Sequence, residues 1–378
     1  MNEAKATVYQ RLRRRGTAWA WVSAFGMLTL IAVTPMSSWL EHWAVGAVAG
    51  WQSPAAPFAT LILFTLSVVA LWELAVLPAT LHVALGADRT YLAAQESRWA
   101  SLGAELQAVI VGAPFALYAA LGVQGSIALF GPWWWLSASA FLALGVVGAM
   151  RLLPVVLGLV GTVRPLARKS LVTALAAVVD NARVPVAGVY EWGVGRGARA
   201  SALVAGIGRT RRVLLAAELA RSWTDEEVAV VVAHELAHYA HHDLLRAAIL
   251  DTVILAAGLW AADAALTAVG PALGIGPRGE LSALPAIGLV AGLVWFCLTP
   301  LRRAQSRRHE RRADVFALEC TGHAEAFGAA VRRLGAERLA EERPTRLTRW
   351  LFHRHPTVAE RLALAEAFMR ERQVRGSN

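Results

Sequence analysis

His234 and His238 stand four residues apart in the segment HELAHYAHHD, residues 234–243. On a helix that spacing sets both imidazoles on one face. Two ring nitrogens there can reach a single zinc ion at ~2.0–2.1 Å. Glu235 projects beside them, where a carboxylate can take a proton from water whose pKa the metal has lowered toward ~7. The pattern predicts metal-assisted attack on a carbonyl. A solvated helix with stray histidines is the plainer alternative, and a third ligand is needed to set it aside. Six residues beyond His238, where a third histidine would complete one common pattern, stands Leu244. His241 lies on the right face but a turn too far along, and it reads with His242 as a surface or interfacial residue.

A better third ligand lies in SRRHERRADVFALE, where Glu310 and Asp314 are again four apart. One carboxylate can bind the metal. The other, a turn away, can accept the free N–H of a ligating histidine and fix its orientation. Arg307, Arg308, Arg311 and Arg312 surround them. The carboxylates meet the histidines only if the arginines point outward and both helices lie on one side of whatever separates them.

What separates them is apolar. The chain of 378 residues is 56% hydrophobic and 17% charged, with a mean hydropathy of +0.46. That is too little charge to cover a soluble protein of this length. Stretches near 17–36, 57–81, 104–130 (with a break near its end), 133–150, 246–270 and 282–300 each suit a crossing of the ~30 Å hydrocarbon core. The first, behind the basic RLRRR, reads as an uncleaved span rather than a signal peptide. Loops 37–56 and 123–132 carry no Lys or Arg, and 271–281 only Arg278, whereas Lys5 to Arg15, Arg89, Arg98 and Arg151 to Lys169 fall on the other side. About six spans with both termini inside satisfy the positive-inside rule. The hairpin 246–300 then returns Glu310 to the side of His238.

Four segments follow. Residues 1–164 form an N-terminal membrane domain, and 165–245 the first section of a catalytic domain. Residues 246–300 form the hairpin, and 301–378 the second section of the catalytic domain. SLVTALAAVVDNA reads as helix, VPVAGVYEW, ASALVAGIG and RRVLLAAEL as strands of a small sheet. SWTDEEVAVVVAHELAHYAHHDLL reads as a helix capped by Thr224, with Glu227 three residues on. The predicted fold is a mainly α-helical polytopic membrane protein with a cytoplasmic, zincin-like α+β catalytic domain. Asp251 and Asp263 fall inside a predicted span, where charge is costly; they line a polar cavity or mark an interface.

A net charge of +10 invites a nucleic-acid reading. The arginines instead flank apolar runs, and 17 of the 37 basic residues lie between Arg302 and Arg375. That distribution suits a cytoplasmic face and lipid headgroups, and no nucleic-acid partner is expected. Two cysteines, Cys297 and Cys320, exclude a disulfide framework. Two lysines against 35 arginines hint at a GC-rich bacterial source.

With AHELAH ending in HHD, SRRHERRAD, HPTVAER and GIGRTRRVLL, the chain resembles the membrane zinc metalloproteases of the type 1 CAAX prenyl protease family and its bacterial relatives. The resemblance covers about 165–370, more loosely the segment upstream. It implies His234, His238 and Glu310 as ligands of one Zn2+ per chain, Glu235 as general base and Asp314 as partner of a ligating histidine. His355 would contact the substrate carbonyl, a role that suits a positioned donor, and Arg361 would hold the site together. Ser201 stands where the family usually has a substrate-binding asparagine. The span count is one fewer than in the eukaryotic prenyl proteases.

The function expected is an integral-membrane zinc endopeptidase of a bacterial inner membrane, cleaving protein or peptide substrates at the cytoplasmic face. Its role would be quality control or precursor processing, with the substrate lying along an edge strand near 200–207. Two alternatives stand beside it: a sensor protease of the β-lactam-sensing transducer type, and a non-enzymatic scaffold with a relic site. The first lacks an external sensor domain here; the intact His234, Glu235, His238 and Glu310 argue against the second.

Overall fold

The structure is a computed structural model, and it describes residues 3–91, 98–160, 162–193, 202–206, 208–341 and 344–376. Its helices are α1 (Glu3–Val33), α2 (Met36–Val48), α3 (Ala56–Leu81), α4 (Arg89–Tyr91), α5 (Arg98–Phe130), α6 (Trp134–Val160) and α7 (Lys169–Ala182). After these come α8 (Ala217–Ser222), α9 (Asp225–Ala240), α10 (Asp243–Val269), α11 (Leu284–Cys297), α12 (Thr299–Thr321), α13 (Ala324–Glu337), α14 (Arg346–Phe352) and α15 (Val358–Gly376). Four strands, β1 (Thr162–Pro165), β2 (Val189–Gly193), β3 (Ala202–Ala205) and β4 (Arg212–Ala216), form one sheet in the order β1-β2-β4-β3. The chain divides into two compact units: 1–10, 146–249 and 300–378 form one, and 11–145 with 250–299 form the other.

The apolar unit is built from helix hairpins. Among the described residues, four helical stretches are long and apolar enough to cross a membrane, or five if the pair Leu281–Cys297 and Thr299–Thr321, bent by 48°, counts as one. The longest, Leu102–Leu153, has 52 residues and doubles back at Gly131, whose φ of 51° reverses the chain. Tyr118 stacks on Phe141 at 4.4 Å and donates its hydroxyl to the Phe141 carbonyl at 2.5 Å. The break expected inside 104–130 is absent, because α5 stays helical up to that turn. α10 and α11 pack as a second hairpin around Gly258, where a Cβ would lie only 3.1 Å from the Ala291 Cα.

The segment 37–56, expected to be a loop, carries α2 instead. Leu40 and Ala44 are buried there with Ile31 and Phe64. Glu41 accepts the backbone N–H groups of Leu281 and Ser282 at 3.2 and 3.0 Å. Asp263 is likewise accounted for: it takes the indole N–H of Trp134 at 2.8 Å and pairs with Arg278 at 2.6 Å. Two donors on this half-buried carboxylate offset much of the cost of placing it in an apolar stretch.

The second unit holds the sheet and the motif helices. β2 and β4 are its inner strands, and β4 runs parallel to β2 and antiparallel to β3. Val213 to Ala216 are all buried, as a strand covered on both faces requires. β1, unforeseen in the sequence, pairs antiparallel with β2 from Thr162↔Gly193 to Pro165↔Tyr190. β3 is the other edge. The turn between β3 and β4 needs Gly206: its φ is 98°, and a Cβ would meet the Thr210 carbonyl oxygen at 2.6 Å.

α9 forms where the capping signals place it. Thr224 Oγ1 accepts the Glu227 N–H at 3.1 Å and Glu227 returns the bond to the Thr224 N–H at 3.0 Å. Asp225, Glu226 and Glu227 line its first turn, where negative charge favours the helix dipole. Val228, Val232 and Leu236 are buried in one core with Leu171 and Leu175 of α7 and Phe327 and Val331 of α13. The helix ends at Ala240, with no breaker residue in the sequence to mark the stop. His242 adopts a left-handed φ of 57° and the chain restarts helically at Asp243.

Candidate active site

The last two turns of α9 present His234 and His238 with ring centroids 5.1 Å apart, edge to face. α12 brings Glu310 against them: His234 Nε2 lies 3.2 Å from Glu310 Oε2, and His238 Nε2 lies 3.8 Å from Oε1. One donor atom from each of the three residues lies within 4.8 Å of the others. Glu310, Ala313, Asp314 and Ala317 form the buried stripe of α12. Arg308 and Arg311 are exposed as expected. Arg307 and Arg312 are not simply turned outward: each is engaged within the protein.

Behind each histidine stands an aspartate, and behind each aspartate an arginine. His234 Nδ1 lies 2.9 Å from Asp314 Oδ1, and Arg361 grips Asp314 with Nε and Nη2 at 2.9 and 2.5 Å. His238 Nδ1 lies 3.1 Å from Asp243 Oδ2, and Arg312 donates to Asp243 Oδ1 at 2.6 Å. Asp314 is 1% and Asp243 3% exposed, so these charges are paired away from water. His238 Nδ1 is hydrogen-bonded to its carboxylate and His234 Nδ1 faces one at ion-pair distance, and each Nε2 lies beside Glu310. That is the arrangement a four-coordinate zinc site requires. The donor set therefore fits the metal that the motif implies.

Burial opposes charge on His234, but its hydrogen bonds to Asp314 and Glu310 outweigh that and raise its pKa to about 9 without a metal. Burial pushes the Glu235 carboxyl up, against the pull of His234 and His238. Glu235 thus sits beside the candidate ligands in a setting that favours proton uptake. Asp314 is held below the usual range: the bond to His234 and the charge of Arg361 overcome its burial.

His355 reaches the same point from the C-terminal section, its Nδ1 2.7 Å from Glu310 Oε2. The HPTVAER motif explains itself locally. Pro356 keeps His355 out of a helix. Thr357 and Glu360 form a second reciprocal cap, at 2.9 and 3.2 Å, that starts α15. Arg361 follows in its first turn, facing Asp314. Ser201 lies outside the described residues. His241 packs on Phe316 at 5.5 Å, apart from the reaction centre. Asp243 is the residue that sequence reasoning missed as a site residue, although HHD was among its motifs. Its clue was the carboxylate five residues after His238, which becomes useful only because the helix breaks between them.

A helix-borne pair of histidines, joined by a carboxylate from a helix beyond an apolar hairpin, is the layout of a membrane metalloprotease. Residues 165–368 match Peptidase family M48. This is more than half of the chain, and the chain belongs to that family. The "Uncharacterized metalloprotease YhfN" of Bacillus subtilis is 27% identical over 207 residues, which cover 53% of this chain and 49% of that protein. A "Protease HtpX homolog" of Bacteroides fragilis is 28% identical over 184 residues, 42% of this chain and 57% of the relative. The chain thus spans about half the length of these curated relatives. The crystal structure of S. mikatae Ste24p shares the fold, with a TM-score of 0.75 at 19% identity over 96% of this chain and 87% of that one. The resemblance read from the motifs, the polytopic helical fold and the small sheet are all borne out.

Proposed function

We propose that the protein is an integral-membrane zinc endopeptidase with one Zn2+ per chain and its reaction centre on the cytoplasmic side. The observation that carries this reading is the convergence of His234, His238 and Glu310, each histidine turned by its own aspartate. These three would hold the ion, which when bound supplies a Lewis acid for the scissile carbonyl and acidifies the attacking water. Glu235 takes that water's proton and passes it to the leaving nitrogen. His355 leaves its contact with Glu310 and donates to the carbonyl oxygen as negative charge develops there. Asp314 and Asp243 keep the Nδ1 protons in place, and Arg361 and Arg312 keep the aspartates in place.

An extended substrate pairs with β3, an edge strand of the sheet among the described residues. Tyr239 of α9 donates its hydroxyl to the Val204 carbonyl at 2.7 Å, which ties that edge to the motif helix. Ser201, just ahead of the strand, would bind substrate backbone. Six membrane crossings with both termini inside agree with the doubled-back stretch at Gly131 and with the charge distribution. The polypeptide falls into the membrane domain, the two catalytic sections and the hairpin that joins them. Quality control of membrane proteins and precursor processing both suit such an enzyme.

The test is casein cleavage by detergent-purified, zinc-loaded protein alongside Glu235→Gln. The variant should keep one zinc per chain and lose turnover by about a thousandfold or more. Turnover near the wild-type rate in that variant would remove Glu235 from its role.

A further inference from the structure

The buried stripe of α12 continues toward its N-terminus. Arg303 and Arg307 precede Glu310 by seven and three residues, so they share a helix face with it. Arg307 Nη1 donates to the carbonyls of Arg349 and His353 at 3.2 and 2.9 Å. This fastens the turn carrying Arg354 and His355 onto α12. Arg303 is half-buried, and its Nε is sheltered from solvent without a hydrogen-bond partner. Burial, then the charges of Arg354, Arg302 and Arg307, draw its pKa down to about 10. Glu360, in the first turn of α15 just beyond that turn, is taken by Arg349 at 2.7 Å. Among the described residues neither Arg303 nor Arg354 has a carboxylate partner.

Like charges held together without a counter-ion destabilise one another. The surroundings of this cluster indicate what relieves it. A lipid headgroup would meet the exposed arginines such as Arg308 and Arg311. Arg303 is instead turned into the protein, and Arg354 directly precedes His355, which touches Glu310 at 2.7 Å. Seven residues of helix span ~10 Å, the reach of about three residues of extended peptide.

We propose that Arg303 and Arg354, backed by Arg307, form a carboxylate-binding subsite for the peptide substrate. The carboxylate is an Asp or Glu side chain, or the peptide's own terminus, within a few residues of the scissile bond. Paired guanidinium groups bind a carboxylate with both charge and geometry. The inference rests on the endopeptidase reading.

The experiment uses zinc-loaded wild-type protein and a series of fluorogenic peptides. A single Asp, Asn or Lys is moved along each peptide, with free-acid and amidated ends. At one register the Asp peptide should exceed its Asn counterpart in kcat/KM by about tenfold, through KM. Arg354→Glu, at an exposed position, should invert the preference toward Lys. Arg303→Gln should bring it close to one, and Arg303→Lys should retain most of it. A preference confined to free-acid peptides assigns the subsite to the chain terminus; one indifferent to amidation assigns it to a side chain.

Equal cleavage of Asp, Asn and Lys peptides overturns the subsite and leaves the endopeptidase intact. So does a response of the variants only to phosphatidylglycerol in the surrounding bilayer. Cleavage of no peptide and no casein by zinc-loaded wild type overturns both.

Discussion

Two histidines, two aspartates and two arginines repeat one arrangement at the reaction centre, and the copies differ in how their members are spread along the chain. Asp314 and Arg361 come from α12 and α15, while Asp243 and Arg312 come from α10 and α12. Removing a partner of a ligating histidine commonly weakens metal binding by ~10–100-fold. Asp243→Ala and Asp314→Ala should each do so in a competitive chelator titration, with Asp243→Asn closer to wild type. Unchanged affinity in Asp243→Ala would show that the 3.1 Å contact to His238 orients nothing. Zinc uptake should also be tied to pH. Below the His234 pKa of about 9 the ion must displace a proton from that ring. Calorimetry in buffers of differing ionisation enthalpy should therefore find about one proton released from His234 near neutral pH, falling toward none above about pH 9. Release that is flat across that range would mean His234 is already neutral in the free protein.

Elements were legible where local signals agreed with the fold, and obscure where tertiary contacts decided. Thr224 with Glu227 announced α9, and the four-residue spacings at His234 and at Glu310 pointed to residues that the fold brings together as a candidate metal set. α2 escaped notice because SSWLEHWAV mixes polar and apolar residues without a strong period, and its helix is held by burial of Leu40 and Ala44. β1 was hidden by Arg164 and Pro165, which an edge strand tolerates. The break after Ala240 carries neither Gly nor Pro; His242 takes a conformation that sequence rarely signals. His355 gained meaning only from resemblance, because a histidine before proline is otherwise just a turn residue. The two capping boxes separate stability from activity. Thr224→Ala and Thr357→Ala should each cost about 1 kcal/mol of stability in a denaturation experiment. Only Thr357→Ala should also lower kcat, because it loosens the turn between His355 and Arg361. Equal loss of kcat in both variants would mean that the second cap has no special link to the site.

At the scale of the whole molecule, the proposed orientation rests on charge asymmetry. A chain stripped of Cys297 and Cys320, with single cysteines at Gln52 or Arg370, offers a direct reading. Both positions are exposed. In intact cells a membrane-impermeant maleimide should label the cysteine at 52 and spare the one at 370, which reacts only after permeabilisation. The reverse pattern would put the metal ligands on the outer side and refute the cytoplasmic assignment.

The chain leaves the unit holding the two histidines after Ile249 and rejoins it at Pro300. A ribosome that has made HELAH has therefore not yet made the whole candidate metal set. Glu310 and His355 emerge only after both helices of the intervening hairpin have been synthesised, so the nascent protein carries two imidazoles and a base with no means of closing the set. The order of translation alone therefore keeps the candidate metal set open until the chain beyond the hairpin, through Glu310, has been made.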